Sequence, residues 1–352
     1  MNKSKLTLIV DGNWLLMSRL SVIANKYIGD EELCANLQLL MTRSIKLVLK
    51  QFPLIDNIIF IADGGSWRND LAIPEYLKDD EGNPITYKGN REKSEDINWD
   101  AIFASYEEFI EILKQNGINT YREKGIEGDD WAWWWSTYLN SQGTNCIIWT
   151  KDNDLKQLVN IDSNKCFTVW WNKENGLYAD QFNDSDMNFL FNNEFNVNDD
   201  IFNKLIASVK YQQINKNDII LDKIIRGDLG DNILPIITKK TTNKDSTRIY
   251  RISNKEIDNT LDFRNDAQIQ NYINELCHSK KYAGKITMTP EIAFDHFKYN
   301  RRLVVLSKES YPQEILNIFE NYKEYNLSNN IYIVENKLVA STNRLDGILN
   351  II

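Results

Sequence analysis

Histidine is nearly missing from this chain: His278 and His296 are the two in 352 residues. Neither stands near a candidate nucleophile or a second ligand in the sequence, so histidine-based acid–base or nucleophilic chemistry is disfavoured. Cysteine is scarce as well. Cys34, Cys146, Cys166 and Cys277 lie far apart and form no C-x-x-C pair, which leaves zinc and a disulfide framework without support and makes reduced, mostly buried thiols the expectation. No apolar run approaches the roughly 18 residues that cross a bilayer, and the start, Met1 to Lys5 and then the short run Leu6 to Val10, lacks the shape of a secretory signal. A soluble protein with no membrane partner, working in the cytoplasm, is expected. A basic excess is missing too: 41 Lys and Arg stand against 50 Asp and Glu, a net charge of −9. That is the opposite of a simple nucleic-acid-binding surface.

What is present is ordinary globular usage, 42% hydrophobic and 26% charged. The length suits a main domain with a smaller one. The first part alternates strand-like runs (Leu6–Val10, Asn57–Ala62, Cys146–Thr150) with helical patterns around Glu31–Gln51, Asp100–Asn116 and Asp129–Asn140. This alternation predicts an α/β fold, a mostly parallel twisted sheet flanked by helices. The last of these helices carries Trp131, Trp133, Trp134 and Trp135, which cannot share one face at 3.6 residues per turn; burial on more than one side is expected. A polar insertion follows the second strand, with Pro74, Gly82, Pro84 and Gly89; long insertions of this kind are often functional. The boundaries expected are a core over 1–210, including the insertion at about 67–105, and a mainly helical region over 211–352.

Carboxylates carry the chemistry. LTLIV is followed by Asp11, IIFIA by Asp63, and CIIWTK by Asp152 with Asp154 two residues on. Ligands of a parallel sheet bind beyond the carboxyl ends of its strands, so these acids converge on one edge. Each alone is explained equally well as a helix cap, since a helix follows each strand; three at equivalent places are harder to dismiss. Glu127, Asp129 and Asp130 stand at the start of the tryptophan helix, where the helix dipole also favours acids. Asp228 and Asp231, three apart, form a last pair that an ordinary turn would also accommodate. An all-carboxylate set points to a hard cation, Mg²⁺ with Mn²⁺ as substitute, and two such ions serve phosphodiester hydrolysis. Setting nine acids aside in a metal cluster would leave 41 acids against 41 bases. The phosphate loop G-x-x-x-x-G-K-[ST] is absent, so nucleotide hydrolysis falls behind nuclease activity.

In order along the chain, Asp11-Gly12, Ala62-Asp63-Gly64 with Arg68, Glu127-Gly128-Asp129-Asp130, Thr150-Lys151-Asp152-Asn153-Asp154 with Gln157-Leu158, and Gly227-Asp228-Leu229-Gly230-Asp231-Asn232-Ile233 resemble the 5′-nuclease superfamily: flap endonucleases, 5′-exonuclease domains of bacterial polymerases, and phage exonuclease and ribonuclease H proteins. The match runs over roughly Leu6 to Pro235. Tyr87-Lys88-Gly89-Asn90-Arg91 is similar to the phage-type motif at the base of the family's helical arch.

The resemblance implies a PIN-like core with a helical arch insertion and a metal-dependent 5′→3′ exonuclease or flap endonuclease, with ribonuclease H-like activity, that removes RNA primers or flaps in phage-like DNA replication. It implies one metal held mainly by Asp11, Asp63 and Asp129 and another by Asp152, Asp154 and Asp231, with Glu127, Asp130 and Asp228 as further or water-mediated ligands. Lys88 and Arg91 would polarise the scissile phosphate, Arg68 bind phosphate, and Tyr87 stack on a terminal base. The implied partners are DNA with a 5′ flap, nick or RNA:DNA hybrid, and a single-strand-binding protein, clamp or polymerase; the chain itself is expected to be a monomer, in a bacterial host's cytoplasm if viral.

One stretch departs from the family. After Ile233 the usual Pro-Gly-Val and G-x-G-x-K turn that grips duplex backbone is replaced by Leu234-Pro235-Ile236-Ile237-Thr238-Lys239-Lys240. The glycines that let amides approach phosphate are missing; Lys239 and Lys240, with Lys244 close by, are the substitute candidates for nucleic-acid binding. Two rival readings stay open: a PIN-type single-strand ribonuclease, which shares the sheet and several acids but lacks the arch and the last acid pair, and a non-catalytic DNA-binding replication protein.

Overall fold

The structure is a computed structural model, and it describes residues 6–26, 29–52, 54–91, 94, 96–161, 166–174, 176–180, 204, 207, 211–237, 239–243, 246–250, 252–258, 260–279, 281–282, 288–323, 331–334 and 337–340. The chain divides into two compact units, the first made of residues 1–66, 93–214 and 314–352, the second of 67–92 and 215–313.

In the first unit a sheet is laid down by β1 (Leu6–Asp11), β2 (Asn57–Ile61), β3 (Asn119–Tyr121), β4 (Asn145–Trp149), β5 (Asn160–Ile161), β6 (Phe167–Asn172), β7 (Gly176–Asp180) and β8 (Tyr211–Ile214), interleaved with α1 (Gly12–Ile23), α2 (Asp30–Gln51), α3 (Trp99–Gln115) and α4 (Gly128–Ser141). The spatial order is β3-β2-β1-β4-β6-β7-β8, with β5 on β6. The first five strands of that order run parallel, and β7 turns antiparallel to β6. The mostly parallel α/β core expected from the alternation is therefore what forms. All six residues of β1 are buried, as a central parallel strand covered on both faces must be. On one face Leu6, Leu8, Val10, Phe60 and Ile147 pack with Leu37, Met41 and Phe109 of α2 and α3.

The second unit holds α5 (Lys216–Arg226), a two-stranded hairpin of β9 (Lys239–Asn243) and β10 (Ser246–Tyr250), α6 (Asp266–His278) and α7 (Pro290–Val304). Its core gathers Leu221, Ile224 and Ile225 of α5, Ile269 and Ile273 of α6, and Phe297 of α7. Asn300 ties α5 to the stretch after it, donating to the carbonyls of Ile224 at 2.9 Å and Leu234 at 2.8 Å. The chain then re-enters the first unit through α8 (Gln313–Asn321), and a last hairpin pairs β11 (Ile331–Val334) with β12 (Lys337–Ala340). Phe319 of α8 is fully buried against Trp131, Trp133 and Trp134 of α4, ring centroids 5.1, 5.9 and 5.3 Å away. The four tryptophans are core on two sides of the helix, as their spacing requires.

The insertion expected as an arch is divided between the units, 67–92 going with the second and 93–105 with the first. Among its described residues before α3 it holds one 3-10 turn, Trp67–Asp70, and a bridge between Lys78 and Pro84. Its prolines and glycines interrupt helical backbone at short intervals.

Candidate metal centre

Register places the acids of the first unit at one end of its sheet. Asp11 closes β1 beside Ile61, two residues before Asp63, while Val10 pairs with Trp149, three residues before Asp152. Asp11 does both things that its sequence position allows. One carboxylate oxygen caps α1, accepting from the Trp14 amide at 2.9 Å; the other accepts from the Thr150 hydroxyl at 2.6 Å. Thr150 in turn accepts from the Asp152 amide at 2.9 Å, and the Asp154 amide donates to the Asp152 carboxylate at 2.9 Å. Asp63 accepts from the Asn13 side-chain amide and from the Gly128 amide, both at 2.6 Å.

The turn after β2 and the loop before α4 approach closely, and Gly64 makes this possible. A Cβ there would overlap the Glu123 carbonyl, and the glycine backbone instead exchanges hydrogen bonds with Ile126 and Gly125 at 2.8 and 2.9 Å. That contact carries Glu127 and Asp129 to the acids at the strand ends. Glu127 is buried and accepts from Ser66 at 2.8 Å. Carboxylate oxygens of Asp129, Asp152 and Asp154 come within 4.8 Å of one another. Asp130, expected as a further or water-mediated ligand, takes a capping position in the structure. It is fully buried and accepts from the Glu127 amide at 3.1 Å, so it stabilises the start of α4 as a capping residue.

The electrostatics match the composition of the set. Burial pushes the Asp11 carboxyl up to about 7, against the pull of the Thr150 and Trp14 hydrogen bonds and with added repulsion from Asp63 and Asp152. A group of carboxylates this close, one of them half-protonated near neutrality, suits a hard divalent cation, which would neutralise the repulsion.

In the second unit the remaining acids have cations of the chain's own. Lys223 of α5, buried, lies 2.9 Å from Asp231 and 3.1 Å from Asp228. The Asp228–Ile233 loop closes on itself through paired amide–carbonyl bonds at 2.8 Å. Against it docks the Tyr87–Arg91 pentapeptide: the Lys88 amide donates to the Asp231 carbonyl at 2.8 Å, Asn90 to the Leu229 carbonyl at 2.7 Å, and Arg91 to the Asp231 carboxylate at 2.7 Å. Asn232 answers by donating to the Thr86 carbonyl at 2.8 Å. The two motifs are one structure.

Two cations and a ring fare differently. Arg91 keeps a side chain 57% exposed, open to a ligand. Arg68, expected on phosphate, is 3% exposed, donates to the Leu303 carbonyl at 2.8 Å and lies over the Trp67 ring; it anchors the segment to the end of α7. Tyr87, expected to stack on a base, is buried in the core of the second unit, and the Lys88 ammonium lies 4.9 Å from its ring centre. Lys239 and Lys240 open β9, while Lys244 lies outside the described residues. Sequence reasoning missed Lys223. Its signal was present: a lysine five residues before Asp228, in a helix that ends one residue before the motif.

No protein-family profile matches the chain. Among curated proteins it is 28% identical over 164 residues to the 5'-3' exonuclease of Buchnera aphidicola subsp. Acyrthosiphon pisum, covering 46% of this chain and 51% of that protein. It is also 28% identical over 167 residues to the 5'-3' exonuclease of Mycoplasmopsis pulmonis, covering 47% and 49%. The chain thus spans about half the length of the curated relatives it matches. Among solved structures, the bacteriophage T5 5'-exonuclease with bound zinc superposes at a TM-score of 0.54 with 18% identity, over 90% of this chain and 97% of that one. The T5 flap endonuclease in a pseudo-enzyme-product complex with DNA and metal ions superposes at 0.53 with 17% identity over the same shares. At such identities the structural likeness establishes the fold.

Proposed function

From a chain whose motifs, sequence relatives and fold all support the resemblance to the 5′-nuclease superfamily, we propose a divalent-metal-dependent 5′→3′ exonuclease and flap endonuclease that hydrolyses phosphodiester bonds at 5′ ends. The observation that carries the reading is the gathering of Asp11, Asp63, Glu127, Asp129, Asp152 and Asp154 at the carboxyl edge of the parallel sheet, with Asp11 held near neutrality in its titration. These residues would hold the cation, Mg²⁺ by the hardness of the donor set, and a bound cation supplies charge stabilisation and water activation.

The chain's own groups do the rest. Asn13 and Gly128 fix the orientation of Asp63, Thr150 fixes Asp11 and Asp152, and Gly64 sets the spacing between the strand ends and α4. Lys88 and Arg91 meet the scissile phosphate, Arg91 through the exposed side of its guanidinium. Lys239 and Lys240, on a hairpin where the family has its glycine turn, contact the duplex backbone. The substrates that fit are a 5′-flap DNA, a nicked duplex and an RNA:DNA hybrid, with primer or flap removal in phage-like replication as the role.

The deciding experiment is one cleavage series: 5′-labelled flap, nicked duplex, RNA:DNA hybrid and single-stranded RNA, each with Mg²⁺, Mn²⁺, Ca²⁺ and chelator. Cleavage of the first three, dependent on Mg²⁺ or Mn²⁺, is expected. Cleavage confined to single-stranded RNA would move the chain to the PIN-type ribonucleases, and no cleavage with any ion would overturn the enzyme reading.

A further inference from the structure

One indole holds the Asp152–Asp154 loop at both ends. Trp170 of β6 is fully buried, and its ring N–H donates to the main-chain carbonyl of Asp152 at 2.9 Å. The face of the same ring lies 4.5 Å from the Lys156 ammonium, two residues beyond Asp154. Tyr178, directly opposite Trp170 in the β6–β7 pairing, closes the other side: its ring meets the indole edge-on at 4.9 Å and 87°, with the Lys156 ammonium 3.9 Å from its centre. Lys156 is thus committed to an aromatic pair.

The geometry has a reason. Past Thr150 the chain leaves the sheet, and a 3-10 turn over Asp154–Leu158 follows at once. Two carboxylates in so short a loop repel one another, and the Thr150 hydroxyl accepts from the Asp152 amide at the loop's start. The contacts of Trp170 add a second hold on the loop beside the place where carboxylate oxygens of Asp129, Asp152 and Asp154 converge.

We propose that Trp170 is a positioning residue for the metal centre: by gripping the Asp152 carbonyl and the Lys156 side chain it sets the spacing of the Asp152 and Asp154 carboxylates, and so the affinity for the divalent cation, without touching the ion. The inference rests on the metal-centre reading above.

Trp170→Phe keeps an aromatic ring over Lys156 and removes the donor to Asp152. Mn²⁺ binding to the otherwise intact chain, followed by the electron paramagnetic resonance of free Mn²⁺, should weaken about five-fold, the effect of one hydrogen bond lost from the preorganised site. Flap cleavage should need correspondingly more metal and recover its parental rate when metal saturates. Lys156→Met, at a partly exposed position, keeps the loop's apolar contact, loses the cation–aromatic grip, and should weaken Mn²⁺ binding by about two- to three-fold. Its effect remains readable if Trp170→Phe does not fold. Parental Mn²⁺ affinity in the folded variants, even with lowered thermal stability, would make Trp170 a packing residue and overturn the inference. Failure of the parent chain itself to bind Mn²⁺ would instead bring down the metal-centre reading, so the two failures are distinguishable.

Discussion

Asp11 and Asp231 are buried almost alike, 8% and 7% exposed, yet their carboxyls are displaced in opposite directions. At Asp11 burial dominates and the neighbours Asp63 and Asp152 add repulsion, so the group rises to about 7. At Asp231 burial pulls the same way, but Lys223, Lys88 and Arg91 outweigh it and the group falls below its ordinary value. At Asp11 the charged neighbours that act on the carboxyl are acids, whereas at Asp231 they are bases. Burial alone therefore says little about the charge a carboxylate carries. What decides is whether the fold supplies the counter-ion or leaves that place to a ligand.

The contrast can be broken most severely among the acids of the first unit. Asp152→Asn and Asp154→Asn are each expected to lower turnover on a 5′ flap by at least about 10³-fold, since each removes a metal ligand. The metal-free variants should melt no lower than the parent, because like-charge repulsion is relieved. Parental turnover at ordinary Mg²⁺ in either variant would end the metal-centre reading.

A pH series sharpens the same point. The folded chain holds its Asp11 proton up to about 7, whereas an unfolded chain releases it near 3.8. The metal-free protein should therefore lose stability as pH rises between those values, by at most roughly 4 kcal/mol from this group. Asp11→Asn should flatten that decline in urea titrations from pH 4 to 8. Asp231, depressed by its partners, works in the other sense: its contribution is complete above the unfolded value and disappears as pH falls below it.

On the neutralised side, Lys223→Met leaves the Asp228 and Asp231 carboxylates without their shared base and should cost about 3 kcal/mol by urea unfolding. Adding Asp231→Asn should restore most of it. Equal losses in the single and double variants would show that Lys223 matters for packing and not for charge. The smallest effect expected is that of Lys88→Ala, a turnover about 10²-fold lower with substrate affinity far less changed. The reverse pattern would make Lys88 a binding residue.

The acids were legible because each follows an apolar run whose meaning is local: a strand, its carboxyl end, and a turn. Register then placed Asp11, Asp63 and Asp152 together with no further information needed. Less legible was anything decided by tertiary burial. Arg68 and Tyr87 carry the residue types of a phosphate contact and a stacking platform, and only the fold shows one donating to the Leu303 carbonyl and the other sunk among isoleucines. The three-residue strand β3, Asn119–Tyr121, offers too few positions for any alternation to appear. Asp130 looked like its neighbour Asp129, but one step around a helix start turns its carboxylate to the backbone. Even the division into units was hidden, since 67–92 leaves the first unit's sequence only to pack with residues more than a hundred positions later.

That α8 belongs to the first unit has a consequence for how the chain is made. Trp131, Trp133 and Trp134 gain the cover of Phe319 only after residues 215–313, the larger part of the second unit, have been synthesised. At ordinary rates of synthesis, about 5–20 residues per second, that interval lasts on the order of ten seconds. Throughout it a growing chain carries large indole surfaces without their final cover, on the helix that bears Asp129. Such a chain needs either rapid completion or protection by a chaperone, and its sheet and acids can form before the layer that covers α4 is in place.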